Sequence, residues 1–201
     1  MHIDLTIIGA GGHAKVVTDV VVNNGISNFS IVDSSISKVG IIIQNKQVSI
    51  LDDTTKVQAF HIAIGNNHVR TSVYSKFNSQ IEFVSIISSQ AYIAHTAKIG
   101  KGAFIAAKSV VSAESSLGKG CIINHGAIIE HDCQVGDFCH IAPNATLLGG
   151  VSLGPRVFVG AGATILPNVK IAADVIVGAG AVVLSDILER STVVGAPARR
   201  V

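Results

Sequence analysis

The sequence predicts a chain of two parts, a small Rossmann-like α/β domain followed by an all-β parallel β-helix. The 201 residues are 48% hydrophobic but only 4% aromatic. Apolar burial can therefore offset the chain entropy, but a narrow core of short, β-branched side chains is required. Strand-like runs alternate with helix-like patterns up to about residue 88, and from Ala91 onward the sequence repeats every six residues. Each of these periods predicts one of the two parts.

The first part shows the alternation of strands and helices that is typical of a parallel α/β sheet. Its apolar runs and periodic segments predict, in order, a strand at 3–8, a helix at 13–24, strands at 29–33 and 60–65, a helix at 67–77 and a strand at 81–86. The predicted boundary lies at Ser88 to Gln90. It gives domains of residues 1–88 and 89–201.

The second part divides into sixteen hexads from Ala91 to Asp186. Every third position is Ile, Val or Leu, and every first position is Ala, Ser, Cys or Val. In a short strand these two positions point inward and the second points outward, whereas the polar and glycine-rich positions four to six form a corner. Three strand-and-corner units close one coil, so residues 18 apart stack and the repeat makes about five coils. Cys121, Cys133 and Cys139 are first positions, which predicts small core residues.

Composition and charge exclude several classes of protein. No apolar run reaches the roughly 18 residues of a membrane span, and the start of the chain turns polar too early for a secretory signal. We therefore expect a cytoplasmic protein without a membrane span. The formal net charge is +2, with scattered lysines and arginines, which argues against nucleic acid as a partner. Small molecules are the expected partners.

A glycine-rich loop follows the first predicted strand. Gly9-x-Gly11-x-x-Ala14 fits a relaxed dinucleotide-binding pattern, in which glycines let the backbone approach a phosphate and helix amides face its charge. Fewer than 90 residues precede the repeat, so we expect one nucleotide. The candidate contacts are Gly11, Gly12, His13 and, at the end of the next strand, Asp33 and Ser34. Alternatively, a tight strand-to-helix turn needs glycine without any ligand.

A second polar cluster follows the strand predicted at 60–65. It consists of Gly65, Asn66, Asn67 and Arg70. Ligands of open α/β sheets bind outside the carboxyl ends of the strands, so this cluster and the glycine loop are expected to face one crevice that takes a sugar nucleotide. The alternative is structural, with Asn67 as a helix N-cap and Arg70 as a solvated helix residue.

The histidine that we consider as a candidate base lies in the segment 124–132 of the repeat. His131 stands between Glu130 and Asp132 at a predicted corner. Acetyl transfer needs a group that accepts the nucleophile's proton, and histidine is suited to this near neutral pH. An acidic neighbour can orient the ring and stabilise its charged form. We interpret His131 as the base.

Five stretches together resemble the NeuD/PglD-type sugar acetyltransferases of the hexapeptide-repeat superfamily. They are 9–14, 62–67, Glu130-His131-Asp132, 140–143 and 194–200. The resemblance covers essentially the whole chain and is strongest to UDP-4-amino-sugar N-acetyltransferases of bacterial glycan assembly. It implies a left-handed β-helix and a homotrimer.

The resemblance also implies roles for residues of the repeat. His131 is then the general base, Asp132 supports it where the family often has Glu, and Asn124 lies near the acceptor amine. His140 contacts acetyl-CoA, whose pantetheine arm touches the backbone at Gly149, Ala161 and Ala179. For these last three residues the alternative is that corners simply favour Gly and Ala. Arg199 and Arg200 either approach the CoA phosphates or belong to a solvated terminus.

The leading hypothesis is an acetyl-CoA-dependent N-acetyltransferase that uses no metal. It acts on the 4-amino group of a UDP-linked 4-amino-4,6-dideoxy sugar. Three alternatives remain: a sialic acid type O-acetyltransferase, a zinc enzyme similar to the γ-class carbonic anhydrases, and a non-catalytic nucleotide-sensing subunit. The zinc alternative is disfavoured because His125 and His131 are six residues apart, whereas that family uses a pair five apart.

Overall fold

The computed structural model describes residues 4–77 and 80–201 and divides the chain into two compact units, Met1–Ile86 and Ile87–Val201. The first unit is a parallel five-stranded sheet with two helices; the parallel α/β arrangement and both helices were predicted, but the strands between residues 42 and 50 were not. Its elements are β1 (Leu5–Ile8), α1 (Gly12–Asn23), β2 (Phe29–Asp33), a 3₁₀ turn (Ile36–Lys38), β3 (Ile42–Ile43), β4 (Lys46–Gln47), β5 (Ser49–Ile50), β6 (Ala59–Ile62), α2 (Asn67–Tyr74) and β7 (Glu82–Phe83). Residue 3 of the predicted first strand lies outside the described residues.

The sheet has the strand order β5-β2-β1-β6-β7, and all of its pairs are parallel. β1 is central, and all four of its residues are buried, which explains its continuous apolar sequence. α1 buries Ala14, Val17 and Val21 along one stripe. Because the strands are parallel, the loops after β1, β2 and β6 leave the same edge of the sheet.

The strand predicted at 81–86 is wrong as a single element. Residues Glu82–Phe83 end the sheet of the first unit as β7, and Ile86–Ile87 form β8 in a different sheet. Between them, Val84 N–H donates to Phe60 O, and the Val84 carbonyl accepts a bond from His61 Nδ1 at 2.9 Å. One apolar run therefore serves two sheets, which its hydrophobic pattern does not reveal.

The second unit is a parallel β-helix of two-residue strands with three faces. Face 1 consists of β9 (Tyr92–Ile93), β12 (Val110–Val111), β15 (Ile128–Ile129), β18 (Thr146–Leu147), β21 (Thr164–Ile165) and β24 (Val182–Val183). Face 2 consists of β10 (Lys98–Ile99), β13 (Ser116–Leu117), β16 (Gln134–Val135), β19 (Ser152–Leu153) and β22 (Lys170–Ile171). Face 3 consists of β8, β11 (Phe104–Ile105), β14 (Ile122–Ile123), β17 (His140–Ile141), β20 (Phe158–Val159), β23 (Ile176–Val177) and β25 (Thr192–Val194), and it ends in the antiparallel β26 (Arg199–Arg200).

The predicted hexad pattern is confirmed by the core. First and third positions fill the interior, as Ile123, Ile141 and Val159 do in three successive coils with 0% exposure. Second positions vary, because Gln134 is exposed, whereas Phe104 and Ile122 are buried.

The three cysteines are buried as predicted, and each thiol also donates to a carbonyl oxygen fifteen residues further on. The acceptors are Gly136 O for Cys121, Leu148 O for Cys133 and Gly154 O for Cys139, at 3.1–3.3 Å.

The corners follow a regular backbone rule. The sixth residue of most hexads is left-handed, as at Asp132 (φ 61°), Asn144 (φ 57°) and Gly150 (φ 72°). The fifth residue has no such requirement and carries Ala, Lys, His, Asp, Ser or Pro in all hexads but one. Glycine is therefore conformationally useful at position six but not at position five.

Candidate active site

The predicted base lies at a corner of the β-helix that follows β15. Asp132 has φ 61° and turns the chain, and its carboxylate oxygen Oδ2 lies 2.7 Å from His131 Nδ1. A carboxylate can only accept, so Nδ1–H donates to Asp132 Oδ2 and the neutral ring presents its lone pair at Nε2. Both side chains are well exposed, at 64% and 63%. The structure therefore brings His131 and Asp132 together in the arrangement that a general base needs.

Electrostatics at this corner favour the charged imidazole. The hydrogen bond that Asp132 accepts from the ring raises the pKa of His131 above its ordinary value, the charges of Asp132 and Glu130 act in the same direction, and desolvation opposes them. Glu130 also accepts a long bond of 3.4 Å from the His131 backbone N–H. An aspartate, one methylene shorter than glutamate, thus makes the supporting bond at this corner.

Gly149 lies one coil further on, directly beside the His131 ring. A β-carbon built on Gly149 would stand 2.6 Å from Cε1 and 2.7 Å from Nε2 of the imidazole. Both distances are shorter than van der Waals contact. The ring therefore occupies the space that a side chain at 149 would need.

A second polar cluster forms at the neighbouring corner, after β14. Asn124 Oδ1 accepts from the His125 backbone N–H at 2.9 Å, which orients the amide so that Nδ2 donates to His140 Nε2 at 3.3 Å. The His140 ring packs edge-on against Phe158, with centroids 5.2 Å apart. Asn124 and His140 are thus joined to each other, whereas His131 and Asp132 lie at a different corner. The Phe158 contact was missed by the sequence analysis, because an aromatic second position has no distinctive pattern.

Two of the other residues predicted to contact acetyl-CoA share one corner. Ala161 and Ala179 are both exposed and stand 18 residues apart, and the Ala161 carbonyl accepts from Gly180 N–H at 2.8 Å. They stack in successive coils above the corner of Asn124. Gly149 belongs to the corner of His131 instead.

In the first unit, three predicted binding segments meet at one edge of the sheet. Gly9 has φ 111°, and a β-carbon there would lie 2.8 Å from Ile64 Cγ1, so the loop after β1 packs against the loop after β6. Asp33 Oδ2 accepts from Ala10 N–H at 2.8 Å and thereby ties the end of β2 to the glycine loop. Gly11 and Gly12 have open space around their Cα atoms, which leaves their backbone accessible. His13 is half-buried and Ser34 is exposed.

The loop after β6 is built differently from the structural alternative considered for its residues. The N-cap of α2 is Asn66, whose Oδ1 accepts from Val69 N–H at 3.0 Å, so the alternative that made Asn67 the cap is wrong. Arg70 is 1% exposed, so the alternative of a solvated residue is also wrong. Its guanidinium donates to the carbonyl oxygens of Ile64 and Gly65 and to Asn67 Oδ1, at 2.9–3.1 Å. Arg70 and Asn67 thus hold this loop together from within.

A cavity of about 440 Å³ opens in the first unit, and Ser34 is the only predicted contact among its lining residues. Asp52, Asp53 and Lys76 supply polar groups, and Val73 and Phe77 supply apolar surface. This volume suits a small ligand. Sequence analysis missed these residues, because residues 51–57 have no periodic pattern.

Within residues 4–77 and 80–201 no group of three or more His, Cys, Asp or Glu side chains is arranged to hold a metal ion. Over the same residues no helix has the length and apolarity to cross a bilayer. Burial raises the pKa of the Cys133 thiol to about 11, so at neutral pH this thiol is protonated and not a nucleophile.

Family comparisons cover both units of the chain. The PglD N-terminal domain family matches residues 4–77, and the bacterial transferase hexapeptide family (six repeats) matches residues 114–149 and 150–185. These matches confirm the predicted fold, a small α/β domain followed by a left-handed β-helix.

Solved structures match over nearly the full length. A mutant of perosamine N-acetyltransferase from Caulobacter crescentus, in complex with CoA and GDP-perosamine, is 34% identical with a TM-score of 0.91, over 98% of this chain and 95% of that one. The acetyltransferase domain of PglB from Neisseria gonorrhoeae FA1090, in complex with acetyl coenzyme A, is 32% identical with a TM-score of 0.87, over 98% of both chains. WeeI from Acinetobacter baumannii AYE is 26% identical with a TM-score of 0.90, over 98% of this chain and 99% of that one.

An uncharacterized protein of Acanthamoeba polyphaga mimivirus is 36% identical over 101 residues, which are 49% of this chain. The match spans only 20% of the length of that viral protein.

Proposed function

This chain belongs to the PglD-type sugar N-acetyltransferases of the hexapeptide transferase superfamily, and on that premise we propose that it acetylates the 4-amino group of a UDP-linked 4-amino-4,6-dideoxy sugar with acetyl-CoA. The observation that carries the proposal is the His131 imidazole held by Asp132 at an open corner, 2.7 Å from Nδ1 to Oδ2. The product would feed bacterial glycan, capsule or glycoprotein synthesis. Both co-substrates are cytoplasmic metabolites, so the proposed compartment is the cytoplasm.

The proposed mechanism is direct acyl transfer. The neutral amine attacks the thioester carbonyl, a C–N bond forms, and His131 Nε2 accepts the proton of the amine as the tetrahedral intermediate develops. The C–S bond then breaks, and the proton returns from Nε2 to the CoA thiolate. Asp132 holds the Nδ1 proton throughout and stabilises the imidazolium. Asn124, which His125 N–H and His140 orient, supports the acceptor amine.

The β-helix, residues 89–201, is the proposed acetyl-CoA-binding and catalytic domain. Ala161 and Ala179 are exposed, so a pantetheine arm can run along this corner past His140. Gly149 lies at the corner of His131, so the arm would reach such a corner only on a neighbouring subunit. A homotrimer fits this arrangement, because the donor groove would lie between neighbouring subunits. The outward side chains support a trimer because the faces differ in polarity. Face 1 presents the largely apolar Tyr92, Val110 and Ile128, whereas face 2 presents the polar Lys98, Gln134 and Lys170.

The first unit, residues 1–88, is the proposed UDP-sugar-binding domain. The hexads run without an inserted loop from Ala91 to Asp186, so the β-helix has no segment of its own to enclose a sugar nucleotide. The first unit offers Gly11, Gly12, His13, Asp33 and Ser34 beside Gly65, Asn66 and Asn67. In this proposal Arg70 acts indirectly, by fixing the carbonyls of the loop after β6.

A panel of acceptors tests the proposal. The full chain is incubated with acetyl-CoA and UDP-4-amino sugars, the matching GDP-linked sugars, and sialic acids. CoA thiol release and product mass are recorded. We expect one acetyl group on the amine of a UDP-linked sugar. Preference for a GDP-linked sugar would overturn the nucleotide assignment, and acetylation of a sialic acid hydroxyl would overturn the N-acetyltransferase assignment.

A further inference from the structure

Residue 149 stands out in the corner pattern of the β-helix. It is the only glycine among the fifth positions of the sixteen hexads. Fifth positions elsewhere carry a β-carbon, as Ala161 does at another corner and Pro167 does in the next coil of the same corner. The left-handed residue of this corner is Gly150, at φ 72°, whereas Gly149 is outside the left-handed region. Its backbone conformation therefore does not require glycine.

The requirement comes from the coil before. His131 is eighteen residues earlier at the same corner, and its ring lies over the Gly149 Cα atom. A β-carbon would approach Cε1, Nε2 and Nδ1 to 2.6, 2.7 and 3.3 Å. The first two distances cannot be accommodated, so an imidazole in this position and a side chain at 149 exclude each other.

We propose that Gly149 is a positioning residue for His131. Because residue 149 has no side chain, the imidazole can pack directly against its backbone, with Nδ1 against the Asp132 carboxylate. The inference rests on the proposed function where it treats His131 as the base. The contact itself is independent of substrate. It adds a steric role to the backbone contact with the donor that was proposed for this residue.

The structure predicts how Gly149→Ala would act. The obstructing atoms belong to the end of an exposed side chain, and the backbone at 149 accepts an L-residue, so the ring moves and the fold survives. A displaced ring loses the 2.7 Å bond to Asp132. A misplacement of about 1 Å can cost on the order of 100-fold in rate. We therefore expect kcat to fall by roughly 10- to 100-fold, while the KM for acetyl-CoA stays within about twofold.

The test compares four full-length variants: Gly149→Ala, His131→Ala, the double variant, and Ala173→Gly, which makes the reverse exchange at another fifth position. Thiol release gives kcat and KM, thermal unfolding gives Tm, and NMR titration of the histidine Cε1 protons follows His131, assigned by its disappearance in His131→Ala. In Gly149→Ala we expect a lower kcat, an unchanged Tm and a His131 titration shifted to lower pH, because the Asp132 bond that raises its pKa is lost. Ala173→Gly should match the wild type.

The double variant separates positioning from a direct role. With the imidazole absent, the three atoms that a methyl group at 149 would meet first are gone. The methyl group should therefore cause no further loss of activity and should leave Tm equal or slightly higher. A further loss in that background, or a raised KM for acetyl-CoA with an unshifted titration in Gly149→Ala, would overturn the inference. If His131→Ala kept full activity while the His131 titration was shifted in Gly149→Ala, only the proposed function would be contradicted, and the contact between Gly149 and His131 would stand.

Discussion

Replacing His131 by alanine removes the proposed base without touching the core, because the side chain is 64% exposed and lies over Gly149 and against Asp132 at the surface. Loss of a positioned general base costs about two to four orders of magnitude in turnover. The open corner places the expected loss toward the lower end of this range, because water can enter the vacated space and accept the proton of the amine. Added imidazole should restore part of the rate for the same reason.

The pH dependence of kcat/KM tests the same role of His131, and the direction of the change can be predicted. The base acts in its neutral form, so the rate falls as pH decreases through the pKa of His131. Because the Asp132 bond raises that pKa above the ordinary 6.5, the acidic limb should lie above the value of an isolated histidine. Asp132→Asn keeps an oxygen that can accept the Nδ1 proton but removes the charge. The limb should therefore move to lower pH, and the rate on the plateau should fall by about tenfold or less, because exposed ion pairs are weak.

Thiol release from acetyl-CoA, measured with saturating acceptor across the pH range, is the assay. His95→Ala is the matched control, since His95 is an exposed fifth position at the same corner, two coils earlier. It should retain wild-type turnover. Near-normal thiol release by His131→Ala, or an acidic limb that does not move in Asp132→Asn, would refute the reasoning.

Three further predictions concern stability. Ile141→Ala should lower the free energy of unfolding by about 3–5 kcal/mol, in the upper part of the range for such truncations, because Ile123 and Val159 are held by ladder bonds and cannot close the cavity. Urea unfolding measures this loss, and Ile93→Ala, at a half-buried position, is the milder comparison. Arg70→Leu should lower the free energy of unfolding by about 2–4 kcal/mol, because two carbonyl oxygens and Asn67 Oδ1 lose their hydrogen-bond donor. An unchanged urea midpoint of the first unit would contradict this. Burial lowers the pKa of His61 to about 4 from 6.5, so the folded state binds fewer protons than the unfolded state between these values. Stability of the first unit should therefore fall by up to about 3 kcal/mol as pH decreases from 6.5 to 4, and this slope should vanish in His61→Gln.

The β-helix was predictable from sequence because each hexad repeats one physical constraint. An aliphatic third position such as Ile141 has a single environment, so the period alone assigns its burial and its partners in the ladder. The first unit lacks such redundancy. Residues 81–86 were predicted as one strand, but β7 and β8 belong to two sheets, since the pattern of apolar residues does not say which partner each pair of residues has.

Polar residues of the first unit were harder to assign for a related reason. Arg70 has the sequence context of a surface helix residue, yet its guanidinium is buried under the loop whose carbonyls it binds. A charged side chain can serve a ligand or satisfy the backbone with the same atoms. Only the three-dimensional arrangement shows where its donors go.

Contacts in the β-helix connect residues that local motifs never show together, because the neighbour of residue i lies at i+18. The Phe138 ring stands over Gly120, and Arg156 makes a two-point ion pair with Asp174 at 2.7 Å. His131 over Gly149 follows the same rule. The Glu130-His131-Asp132 motif therefore contains the proposed base and its carboxylate but not the residue that we propose positions the ring. In a β-helix of this kind, a residue that positions a catalytic group can therefore lie one coil away from it and far from it in sequence.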